Sequence, residues 1–154
     1  MDIGSGQDWP SCSLSNFAPH PFVLDGVQCA SMEGFLQSLK FSNPDMQVHV
    51  CTLVGYKAKL KGKNKAWYVR QVLYWQGQEI DRHSEAYQTL LDRAYDALSR
   101  NTGFAGALLA TGSAVLKHTI GKSDVSHTVL TRQEFCSRLT KLRDQLRREN
   151  KKLA

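Results

Sequence analysis

No stretch of this 154-residue chain approaches 18 consecutive apolar residues, so no segment of it suits a membrane-spanning helix. No Cys-x-x-Cys pair occurs among its four cysteines (Cys12, Cys29, Cys51, Cys136), which argues against zinc and disulfide frameworks and leaves each as a small buried apolar residue. The five histidines (His20, His49, His83, His118, His127) show no metal-ligand spacing, so neither a metal nor another cofactor is expected. GxGxxG, Walker, GxSxG and HExxH patterns are all missing. The opening residues, MDIGSGQDWPSCSLSNF, have neither the basic end nor the apolar core of a secretory leader. A cytoplasmic protein without membrane contact is the expectation, and its oligomeric state is left open.

What is present is ordinary for a globular chain: 42% hydrophobic and 22% charged residues, enough for one domain over 1–154 with its own core. The charge is less ordinary. The net +6 is uneven, with Lys57, Lys59, Lys61, Lys63 and Lys65 alternating through KAKLKGKNK and a second basic run, RRENKK, in the tail over 147–154. Such an excess favours phosphate-bearing ligands or nucleic acid. For the tail, a frayed solubilising end is the simpler reading.

The pattern predicts a helix-rich α+β domain. PFVLDGVQC reads as a hairpin turning on Asp25-Gly26, and VRQVLYWQGQEI as another around Gly77. Helices are expected over about 31–42 with Ser31 as cap, over 45–60 after Asn43-Pro44, and from Ser84 onward along Tyr87, Leu90, Leu91, Ala94, Tyr95 and Leu98. A short helix follows Asn101-Thr102. The last begins at a capping box, Thr131 with Glu134, flanked by a Leu130–Phe135 staple.

Within the first of these helices, Glu33, Gln37 and Lys40 share the strip opposite Met32, Phe35, Leu36 and Leu39. Two readings stand side by side. An amphipathic helix needs a solvated face; equally, Phe35 and Phe41 flank the strip and would suit a pocket wall that stacks a planar ring.

LSNFAPHPFVLDGVQCASMEGFLQSLKF resembles the opening signature of the NADAR (YbiA-like) N-glycosidases, through Ser15-Asn16-Phe17, Asp25-Gly26, Glu33, Gln37 and Lys40-Phe41. ALSRNTGFAGALLATGSAVLKH and EFCSRLTKLRDQL are similar to later segments of that family, so the resemblance runs over about 13–146. It implies a compact, helix-rich α+β domain that hydrolyses N-glycosidic bonds. The substrate would be ADP-ribosylated guanine in nucleic acid, or a phosphoribosylamino intermediate of riboflavin synthesis.

By the same resemblance Glu33 is the catalytic carboxylate, joined by Lys40 and Asp124. Substrate-binding roles are implied for Asn16, Phe17, Gln37 and Phe41, for Lys57 and Lys59, and for Arg82 and His83. The chain departs from the family pattern at Gly34, where a His often follows the motif Glu, and at VSHTVLTRQ, which replaces a Trp-Gly segment after Asp124. These departures keep a second reading open: a non-catalytic module that holds ADP-ribose or a nucleotide.

Overall fold

The computed structural model describes residues 1–153; Ala154, the last residue of the basic tail, lies outside them. Two tight hairpins and a set of helices enclose one apolar core. Strands β1 (Phe22–Leu24) and β2 (Val27–Cys29) pair antiparallel, as do β3 (Val72–Trp75) and β4 (Gln78–Asp81). Each two-residue turn needs positive φ twice: Asp25 and Gly26 adopt 50° and 78°, Gln76 and Gly77 adopt 50° and 83°. Asp25 also ties the hairpins together, accepting from Trp75 Nε1 at 2.8 Å and from both terminal nitrogens of Arg93 at 2.6 and 3.0 Å.

The helices are α1 (Ser11–Leu14), α2 (Met32–Ser38), α3 (Pro44–Cys51), α4 (Gly55–Gly62), α5 (Trp67–Arg70), α6 (Glu85–Ser99), α7 (Thr102–Ala110) and α8 (Arg132–Leu153). Ser31 and Ser84 cap their helices as expected, and Asn43 and Asn101 prove to be caps as well. Ser31 accepts from the Gly34 amide, Asn43 from those of Asp45 and Met46, Ser84 from that of Tyr87, and Asn101 from that of Phe104. The capping box at α8 closes with Glu134 N to Thr131 Oγ1 at 3.0 Å and Thr131 N to Glu134 Oε1 at 2.7 Å.

Three expectations need correction. The helix over 45–60 is two, α3 and α4, because the chain leaves helical geometry at 52–54 and Gly55 turns it with φ +59°. The helix over 31–42 ends at Ser38. The basic end is helical rather than frayed, since α8 runs on to Leu153 with its last residues exposed. Short α1 and α5 carry no periodic signal and were not anticipated.

Phe35, Tyr87, Tyr95, Phe104 and Phe135 fill the core, each no more than 1% exposed. Helix α2 lies at its centre, packed on α3 and α4. The extreme amino end joins the 115–119 segment: Met1 N donates to Val115 O, Lys117 N to Met1 O, and Ile3 N to Lys117 O.

Candidate active site

Because α4 packs across α2, the polar strip is largely withdrawn from solvent, with Glu33 and Lys40 half-buried. Gln37 is 7% exposed. It lies flat on Gly62, where any Cβ would collide with Gln37 Oε1, so only glycine allows the approach. The strip forms one wall of a cleft of about 540 Å³. Asn16 and Phe17, in the turn after α1, form a second wall, with Lys59 and Lys63 at the end of α4. A third comes from the irregular 118–130 segment, through His118, Lys122 and His127.

The carboxylate of Glu33 is held inside. Gln37 Nε2 donates to its Oε1 at 2.8 Å, and its own backbone amide donates to Asn16 O at 3.0 Å. Burial pushes the Glu33 carboxyl above its ordinary range, although the Gln37 bond and the charges of Lys40, Lys59 and His118 pull the other way. Lys40 is shifted oppositely. Burial lowers it, Glu33 opposes that, and Lys122 and Lys59 add to it. Burial thus shifts the acid and the base toward one another.

The surrounding groups are oriented from behind. Buried Tyr95 donates its hydroxyl to Asn16 Oδ1 at 2.7 Å, which turns the Asn16 NH₂ group outward as a donor. His118 Nδ1 lies 2.8 Å from Ile3 O, which can only accept, so Nδ1 is the donor in that bond. His127 Nδ1 pairs with Asp124 Oδ2 at 2.7 Å. The Ser126 amide, and then His127, hold the Asp124 carboxyl below its usual range.

A cleft of this kind, one carboxylate among four lysines and two histidines, suits an anionic ligand. The model of the family described as bacteriophage protein GP30.3 matches residues 8–144.

The chain belongs to the bacteriophage GP30.3 family. It is 42% identical over 149 residues, 95% of this chain and 98% of the other, to an uncharacterized 17.1 kDa protein from the Gp30–rIII intergenic region of Enterobacteria phage T4. Its fold is similar to that of the E. coli protein YbiA, solved by NMR, with a TM-score of 0.64 over 97% of this chain and 86% of that one at 19% identity. The α+β architecture implied by the NADAR resemblance is therefore the architecture of this GP30.3 protein.

Its cleft gathers Glu33, Lys40, Asn16, Phe17, Gln37 and Lys59. The other residues singled out from the sequence lie elsewhere. Arg82 is completely buried: it forks onto Glu134 at 2.7 and 3.1 Å, donates through Nε to Thr128 O, and stacks 4.7 Å over Tyr87. Those bonds commit its guanidinium to the scaffold, where it supports the 128–130 wall from behind. His83 is exposed and pairs with Gln71. Lys57 points to solvent. Phe41 lines a neighbouring cavity, and Phe35 packs edge-on against Trp75 in the core, so neither stacks a ring in the cleft. Asp124 does not line the cleft and reaches it only through His127.

Gly34 has a packing reason. A Cβ there would fall 2.5 Å from Leu53 O and 3.0 Å from Val50 O, so this position cannot carry a His in this GP30.3 protein. His118, Lys122, His127 and Trp67 were not singled out from sequence. Three of them sit in a segment with neither helical nor strand period.

Proposed function

We propose that this protein is an N-glycosidase. It hydrolyses a ribosyl–base C–N bond in a nucleotide-like substrate, either ADP-ribosylated guanine in nucleic acid or a phosphoribosylamino intermediate. The observation that carries this reading is the Glu33 carboxylate, held in a cleft lined by four lysines and pushed above its ordinary range by burial. An anionic ligand tolerates a buried carboxylate only where that group does work, because a desolvated like charge otherwise opposes binding.

In the proposed reaction the C1′–N bond breaks with its electron pair going to the base nitrogen. Lys40, made more acidic by burial, supplies that nitrogen with a proton. Glu33 faces the cation-like sugar and takes a proton from the water that adds to C1′. Gln37 holds Glu33, Asn16 donates to sugar or base, and Lys59, Lys63 and Lys122 neutralise phosphate. The YbiA likeness supports the scaffold of this reading, and the NADAR resemblance supports its chemistry.

The test compares wild type with Glu33→Gln on ADP-ribosylated guanosine DNA and on a phosphoribosylaminopyrimidine, reading released base or sugar by mass spectrometry. Wild type turns over one of the two, and the variant loses about 10²–10⁴ in rate while still binding. Equal binding to both proteins with no turnover of either substrate would replace this reading with that of a nucleotide-holding module.

A further inference from the structure

Lys40 and Trp67 line two cavities at once. Beside the Glu33 cleft lies another of about 660 Å³, within the usual size of a small-molecule site. Its walls alternate rings and cations. Phe41 and Trp67 line it while only 7% and 9% exposed, and half-buried Tyr74 joins them from β3. Lys65 Nζ stands 4.7 Å above the Phe41 ring. Arg70 has one partner, Glu79, at 3.6 Å with both side chains more than half exposed, so its guanidinium is free to take another anion. Among the described residues Asp45 is the one carboxylate in the lining, against Lys40, Lys65 and Arg70.

A cavity lined by three aromatic side chains and an excess of positive charge suits a ligand that is planar at one end and anionic at the other. We propose that this second cavity is a nucleotide subsite, taking a base with its 5′-phosphate next to the bond held at Glu33. The inference rests on the glycosidase reading for the occupant of the first cleft. The nucleotide has two sources with this chemistry: the adenylate half of a free ADP-ribosyl compound, or the neighbouring nucleotide of a nucleic-acid strand. The shared wall of Lys40 and Trp67 places either within one ligand's length of Glu33.

The experiment titrates Glu33→Gln with AMP and with a short single-stranded oligonucleotide, following Trp67 and Tyr74 by NMR. A Lys65→Ala/Arg70→Ala double variant in the same background is run beside it; both side chains are exposed, so the fold is expected to survive. AMP should shift Tyr74 as well as Trp67, and the double variant should bind at least tenfold more weakly. If the source is a strand, the oligonucleotide binds more tightly than AMP, and the double variant lowers its salt slope by about 0.7 for each phosphate left without its cation. Equal affinity for the two ligands assigns the adenylate half instead. Shifts confined to α2 and the 118–130 wall, or unchanged affinity in the double variant, would overturn the subsite. Binding at Tyr74 without any hydrolysis by wild type removes only the glycosidase reading, and hydrolysis with a silent Tyr74 removes only this one.

Discussion

Gln37 donates from Nε2 to Oε1 of Glu33 at 2.8 Å, while its own Oε1, buried against Gly62, has no hydrogen-bond partner. An unpartnered buried oxygen is costly, so the amide is held in place by packing and by the carboxylate. Gln37 is one of the influences that keep Glu33 ionisable at all. Replacing it by Met removes that donor and leaves the desolvation. The acid limb of the pH–rate profile should then move to higher pH, and the neutral-pH rate should fall. A limb that stays in place would show that Glu33 is tuned by the lysines alone.

The raised Glu33 carboxyl has a consequence for stability. The folded state binds the Glu33 proton more tightly than the unfolded chain does. Stability from this group is therefore greatest at low pH, and it is lost as pH rises from the ordinary value of 4.5 through the folded one. Glu33→Gln has no such loss. Its Tm should exceed that of wild type at pH 7, and the difference should shrink as the pH approaches 4. The variant selected to abolish turnover is thus expected to be the more stable protein.

Glu134 behaves in the opposite sense. Burial alone would raise it, but bonds from Arg82, Gln88 and the Thr131 amide hold it below its usual range. Its contribution is present above the ordinary value of 4.5 and is lost as pH falls through the folded one. Arg82→Met strips the pair of its cation and should cost about 3–5 kcal/mol in denaturant unfolding near neutrality. The deficit should narrow in acid.

Gly34 offers a steric test. Gly34→Ala places a methyl against the Leu53 and Val50 carbonyls and should destabilise by about 1–3 kcal/mol, measured from the urea midpoint at unchanged slope. Gly106, with open space around its Cβ position in the middle of α7, is the control. Gly106→Ala should be neutral or stabilising, by up to about 1 kcal/mol.

Periodicity and capping chemistry made most of the fold legible. Ser31, Asn43, Ser84, Asn101 and Thr131 mark helix starts because their side chains satisfy free amides, and that chemistry is local. Asp25-Gly26 marks its turn for an equally local reason. The strip of Glu33, Gln37 and Lys40 could be drawn from a helical period. Its burial could not, since that depends on Gly62 arriving from another helix. Arg82 was given a binding role by the family resemblance alone, and its partner is 52 residues away at the start of α8. The 118–130 wall was invisible for the same reason. Nothing local in HTIGKSDVSH says that His118 and His127 line one cleft with Glu33.

His118 depends on a carbonyl 115 residues earlier, that of Ile3. A ribosome adding roughly 5–20 residues per second reaches His118 about 6–23 s after it has joined Ile3. Throughout that interval the first residues have no strand to pair with, and the cleft lacks a wall. Helix α2 and its carboxylate are made early, yet a newborn chain has nowhere to seat a ligand until most of it has been synthesised. The complete cleft is then among the last features the growing polypeptide acquires.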